Sequence, residues 1–179
     1  EKKLPDNYLV TIGRLSKQKN IFFQIDIINY LRIKKIKYKL LIIGEGGLKK
    51  ELIEYALSLG LKVGQELNNI SSDIIFLGYK SNPFRFIGNN CIFILSSYYE
   101  GMPNVLIEAM AKGTPIISSN CPTGPKELIV NNESFKNERS KYKNGILLPT
   151  PKNTKNDISI WGDYVLELMQ NKSLRKQLS

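Results

Sequence analysis

The chain has 179 residues, 26 lysines and arginines against 16 acids, and no histidine, for a formal charge of +10. That length suits one domain whose core needs no disulfides, and the two cysteines, Cys91 and Cys121, fit a reducing compartment better than a bridged framework. The missing histidine excludes a Ser-His-Asp triad and any histidine-ligated metal, and no apolar run is long enough to span a bilayer.

Residues 8–12 read as a first strand ending at Gly13. The loop 14–19 follows, and Asn20 is placed to cap a helix whose Ile21, Ile25, Ile28 and Leu31 keep helical spacing. A second strand, 39–43, runs into Gly44-Glu45-Gly46-Gly47, then a helix covers 48–59 and stops at Gly60. The stretch 61–72 is polar and irregular. Strand three is 73–77, closed by Gly78, and Asn82-Pro83 opens a short helix. The apolar run 91–95 reads as a buried parallel strand leading to a loop, with Asn104 as cap of a helix carrying Val105, Leu106, Ala109 and Met110. Strand five is 115–118, a short helix lies near 126–130, residues 131–144 form a charged surface loop, and 145–149 is a last strand. Two helical stretches, 157–169 and 173–178, end the chain.

Alternating strands and helices imply an α/β fold, a doubly wound parallel sheet of Rossmann-like type. In such a sheet ligands bind beyond the carboxyl ends of the strands. The loops 13–19, 44–47, 78–80, 96–104 and 118–123 each follow a strand, so all five fall on one edge. Glycines 13, 44, 46, 78 and 101 permit close backbone approach, and Arg14, Lys19 and Lys80 bring positive charge. Glu100 and Glu108 bring carboxylates to the same edge, flanking a glycine loop and a helix N-terminus suited to an anion. Cations for phosphates and carboxylates for hydroxyls together describe a nucleotide joined to a sugar.

Those residues resemble the retaining nucleotide-sugar glycosyltransferases of family 4, enzymes built from two Rossmann-like domains (the GT-B type). Glu100-Gly101-Met102-Pro103-Asn104-Val105-Leu106-Ile107-Glu108 is similar to the family's Glu-x7-Glu motif, and Gly13-Arg14-Leu15-Ser16-Lys17-Gln18-Lys19 to its glycine-arginine loop. The segments 40–47, 74–80 and 111–129 resemble further signatures in the expected order. The resemblance implies a C-terminal donor-binding domain across 1–179, with Arg14 and Lys19 on the diphosphate and Glu108 on the ribose. It further implies that Glu100 and the 101–104 backbone hold the donor sugar, and that Gly78-Tyr79-Lys80 meets the base. The reaction implied is transfer of a hexose or acetamidohexose, from UDP by preference, to an acceptor hydroxyl. The acceptor would sit on an N-terminal domain absent here, and the start at Glu1 without methionine fits a piece of a longer chain that is inactive alone.

Some signals read as structural. The loop 44–47 lacks the third glycine of a dinucleotide fingerprint, since Lys49 stands there. Cys121-Pro122-Thr123-Gly124-Pro125 is a rigid turn, and Tyr98 and Tyr99 read as packing residues. With no histidine and no Asp-x-Asp pair, neither metal nor other cofactor is expected. The lysines are scattered without interleaved aromatics in a chain rich in Lys, Ile and Asn throughout, so the charge reads first as compositional bias, then as peripheral contact with an anionic membrane from a cytoplasmic location, and it speaks against nucleic acid. Two rival readings stay open: a nucleotide-sugar epimerase domain using the same edge, and a non-enzymatic basic module binding membrane or nucleic acid.

Overall fold

The computed structural model describes residues 4–5, 8–67, 71–130, 134 and 139–178. An eight-stranded sheet runs in the order β3-β4-β2-β1-β5-β6-β8-β7, comprising β1 (Tyr8–Ile12), β2 (Lys39–Ile43), β3 (Val63–Gly64), β4 (Ile74–Gly78), β5 (Cys91–Leu95), β6 (Ile116–Ser119), β7 (Ser140–Tyr142) and β8 (Gly145–Leu148). All pairings are parallel except β7 with β8. Leaving out the edge strands β3 and β7, the chain order across the sheet is 3-2-1-4-5-6, the doubly wound Rossmann arrangement. Its topological switch point lies between β1 and β5.

Every residue of β1 and of β5 is buried, as a parallel sheet covered on both faces requires. Alternate residues feed two separate cores. Leu9, Leu40, Ile42, Ile92 and Ile94 pack with helices α1 (Ile21–Ile33), α2 (Lys49–Ser58) and α5 (Lys155–Gln170). Val10, Leu41, Ile43, Phe93 and Leu95 pack on the other face with α3 (Asn104–Ala111) and α4 (Pro125–Val130). The Phe23 and Trp161 rings meet edge to face at 5.3 Å and fix α5 against α1. A last helix, α6 (Lys172–Gln177), follows.

Several expected boundaries move. The third expected strand runs Ile74–Gly78, one residue on from its expected bounds, with the Asp73 carboxylate just before it accepting the Lys62 amide. The fifth begins after Pro115, whose carbonyl accepts from the Phe93 amide. Within 61–72, Val63–Gly64 adds an edge strand, and within 131–144, Ser140–Tyr142 adds the antiparallel one. Of the charged loop expected at 131–144, residues 131–133 and 135–138 lie outside the described residues. Asn20 does not cap α1: it sits at φ 49°, and its side chain bonds elsewhere. Asn104 is the first residue of α3, with Pro103 at the cap position and no side-chain cap. The helix expected from 157 starts at Lys155 with a reciprocal capping box between Thr154 and Asp157. Among the described residues no helix is long and apolar enough to cross a membrane.

Candidate functional site

The turns that follow β1 and β5 are sewn together at the switch point. The Tyr98 amide donates to the Gln18 carbonyl at 2.9 Å, and Gln18 Nε2 returns a bond to the Tyr99 carbonyl at 2.8 Å. Ser96 Oγ donates toward the Lys19 and Asn20 carbonyls, and itself accepts from Gln24 Nε2 at 3.0 Å. Gln24 is wholly buried, so a polar clamp runs through the core directly beneath the crevice. Above it, Lys19 Nζ lies 2.7 Å from Glu100 Oε1, with the carboxylate side chain only 6% exposed.

A second clamp comes from the far end of the sheet. Asn153 and Asn20 exchange side-chain amide bonds at 2.9 and 3.3 Å, and Asn153 Nδ2 also donates to the Tyr98 hydroxyl at 2.8 Å. Both asparagines adopt left-handed backbone, which this residue tolerates better than most. Thr123 Oγ1 donates to the Glu100 carbonyl, and a Cβ on Gly124 would come within 2.2 Å of the Gly101 carbonyl oxygen. The 121–125 turn is therefore the wall behind the 100–103 loop, the structural role expected for it.

The expected site residues fall into several groups. Lys19 and Glu100 are brought into direct contact. Arg14 is exposed, and its guanidinium makes no hydrogen bond or ion pair with the described residues. Glu108 is half-buried and likewise unpaired, and burial pushes its carboxyl above the usual range. Gly101, Met102 and Asn104 are exposed, Pro103 is buried and Val105 half-buried, so the α3 entrance opens to solvent without a side-chain cap over its amides. Tyr79 and Lys80 project from the β4 loop, Tyr79 being 75% exposed.

Gly44 and Gly46 face protein. A Cβ on Gly44 would come within 1.9 Å of the Gly13 carbonyl oxygen, and one on Gly46 within 2.3 Å of the Leu15 carbonyl oxygen. With Gly13 N bonded to the Ile43 carbonyl and Gly44 N to the Gly78 carbonyl, these glycines let adjacent loops touch. Tyr99 is 58% exposed on the rim, so it is not the packing residue expected. Cys91 and Cys121 are buried free thiols, and burial raises Cys91 to a pKa of about 11. No group of three or more acids or cysteines able to hold a metal occurs among the described residues.

No separate role is read from the sequence for Gln18, Gln24, Ser96, Thr123 or Asn153. Gln18, Ser96 and Thr123 fall in loops that the sequence singles out, and Asn153 precedes the Thr154-x-x-Asp157 capping box, whereas Gln24 carries no such signal.

Sheet order, switch-point crevice and paired lysine and glutamate define a Rossmann-like domain of the kind found in GT-B glycosyltransferases. Residues 1–179 match the family model described as glycosyl transferases group 1, and the chain belongs to that family. It is 37% identical over 120 residues, 67% of this chain and 27% of the relative, to an uncharacterized glycosyltransferase of Methanocaldococcus jannaschii. It is 32% identical over 130 residues, 73% of this chain and 32% of the relative, to N-acetylgalactosamine-N,N'-diacetylbacillosaminyl-diphospho-undecaprenol 4-alpha-N-acetylgalactosaminyltransferase of Campylobacter jejuni. A point mutant of S. aureus TarM, solved with fondaparinux, alpha-GlcNAc-glycerol and UDP, superposes with a TM-score of 0.74 at 23% identity, over 99% of this chain and 31% of that one. The chain thus spans about a third or less of these proteins.

Proposed function

We propose that this chain is the C-terminal donor-binding domain of a retaining, family 4 nucleotide-sugar glycosyltransferase. It would move a hexose or acetamidohexose from UDP to an acceptor hydroxyl in surface polysaccharide or glycoconjugate synthesis. The observation that carries this reading is the meeting of Lys19 and Glu100 at the switch point, with Arg14 on the turn after β1 and Glu108 on α3 forming no ion pair among the described residues. The UDP held by TarM and the 121–125 turn, which resembles UDP-sugar-using members, favour uridine. The family match leaves the epimerase reading without support.

In this reading the anomeric C1–O bond breaks toward an oxocarbenium-like centre while negative charge grows on the departing diphosphate. Arg14 is the free cation that meets the diphosphate first. Lys19 then shares its ammonium between phosphate and Glu100, so the charge is stabilised and the Glu100 carboxylate is held toward the sugar hydroxyls. Glu108 accepts from the ribose hydroxyls, which satisfies a carboxylate that has no partner among the described residues. The amides at 101–104 add to the anion site. No metal enters: the chain has no histidine and no Asp-x-Asp pair, and its cations do that work. The acceptor binds a separate N-terminal domain, and the enzyme works in the cytoplasm.

A thermal-shift panel of UDP, GDP, ADP and their sugars tests this. Saturating UDP should stabilise the chain by about 2.7 kcal/mol at a hundredfold excess over Kd, unchanged by EDTA. No response to any nucleotide, in a chain that melts cooperatively, ends the proposal.

A further inference from the structure

The lysines that look dispersed in the sequence are not dispersed at the amino-terminal edge of the sheet, opposite the crevice. There the C-terminal ends of α1 and α2 come together, joined by Arg32, whose guanidinium donates to the Leu59 carbonyl at 2.6 Å and the Gly60 carbonyl at 3.4 Å. A cavity of about 770 Å³ opens beside them, and its walls include Arg32, Lys37, Lys39 and Lys62 against a single acid, Asp73. A smaller adjoining cavity adds Lys35 beside Arg32 and Lys37. The Asp73 carboxylate accepts the Lys62 backbone amide, and Asp163 answers Lys34 at 3.2 Å. Lys35, Lys37 and Lys62 are exposed, and their ammonium groups form no ion pair with the described residues.

Two large aliphatic side chains stand at the same edge. Ile33, the last residue of α1, is 70% exposed, and Leu57, in the last turn of α2, is 54% exposed. Among the described residues, the other exposed large apolar side chains, Tyr79, Tyr98, Tyr99, Met102 and Ile107, belong to the crevice loops or α3. Cations alone would fit a phosphate, a polynucleotide or a lipid headgroup. The first two leave Ile33 and Leu57 in water, and among the described residues no exposed aromatic stands at this edge to stack a base. An anionic bilayer meets both features, with headgroups on the lysines and the acyl boundary over the aliphatics.

We propose that this edge docks on a bilayer of anionic phospholipid through Lys35, Lys37 and Lys62, with Ile33 and Leu57 entering the interface. Docking there leaves the crevice on the opposite edge open, and the inference does not rest on the donor reading.

The test is co-sedimentation of the 179-residue chain with vesicles of phosphatidylcholine alone and of phosphatidylcholine mixed with phosphatidylglycerol. Binding is expected only to the mixed vesicles and should weaken with salt. Lys37→Glu should lower partitioning by about fivefold or more. Lys152→Glu, the same charge change on the exposed loop after β8 at the opposite edge, should lower it much less. Ile33→Asp should reduce binding beyond its charge, judged against Lys152→Glu by an equal or larger loss from a smaller charge change. Circular dichroism checks that each variant folds. Equal losses from Lys37→Glu and Lys152→Glu overturn the proposal, because overall charge then explains the binding. So does absence of binding, or wild-type binding by Ile33→Asp, or DNA competing the chain off the vesicles while binding Ile33→Asp equally well.

Discussion

Lys19 and Glu100, 81 residues apart in the chain, form an ion pair at 2.7 Å that ties the turn after β1 to the turn after β5. Both side chains are largely withdrawn from water, at 16% and 6% exposure, so each depends on the other for compensation of its charge. Lys19→Met leaves Glu100 unpaired and should cost about 3 kcal/mol of stability, as for one partner removed from a buried pair. The double variant Lys19→Met/Glu100→Gln should recover part of that loss, read by denaturant unfolding. UDP affinity should fall in both. If the single and double variants unfold alike, the pair does not organise the crevice.

Gly44 separates a fold role from a ligand role. With φ at 138° and a would-be Cβ 1.9 Å from the Gly13 carbonyl oxygen, any side chain there must push two strand-end loops apart. Gly44→Ala should therefore destabilise the chain by on the order of 3 kcal/mol. Gly101, with nothing near its would-be Cβ, should accept alanine at little cost in stability. Melting curves of the two variants give the answer, and equal melting temperatures would refute the packing role.

The parallel sheet was legible because β1, β2, β4 and β5 are short apolar runs ended by glycine or a loop, and burial on both faces demands that composition. The crevice was legible too, since each loop after a strand must lie on one edge. What escaped notice depends on partners distant in the chain. Asn20 looks like a cap by local rules, yet its side chain is claimed by Asn153, 133 residues on. Ser140–Tyr142 reads as charged loop because only every other residue is buried, and its pairing with β8 is what makes it a strand. Gln24 fills a core position that periodicity assigns to an apolar residue, and its bonds to Ser96 and Thr11 explain it.

Asn153 should act as a positioning residue for the crevice. Asn153→Gly keeps left-handed backbone accessible while removing the bonds to Asn20 and Tyr98. Asn20 is 3% exposed, so its amide is left buried and unsatisfied at a cost of about 1–3 kcal/mol. UDP affinity should drop severalfold beyond what the lost stability explains, because the Lys19 turn loses one of its two clamps. Calorimetric titration well below the melting temperature separates the effects, and unchanged affinity there removes Asn153 from the site.

Glu108 sets the expected pH dependence. Burial raises its carboxyl pKa in the unliganded chain, whereas ribose hydroxyls donating to it would favour the charged form and lower the pKa on binding. Above the raised value the free chain already carries the carboxylate, so nucleotide affinity is flat there with pH. As pH falls through that value the free chain takes up a proton that binding must expel, and affinity declines, up to tenfold per pH unit until the bound form also protonates. The stability of the free chain moves the other way: a raised carboxyl pKa favours folding below the unfolded value and loses that contribution as pH rises through the folded one. Glu108→Gln should bind UDP more weakly at neutral pH and flatten the acid limb, with any residual slope belonging to the diphosphate. Nucleosides should keep the Glu108-dependent slope and free diphosphate should lack it. A slope that survives Glu108→Gln for uridine would assign the ribose contact to some other group.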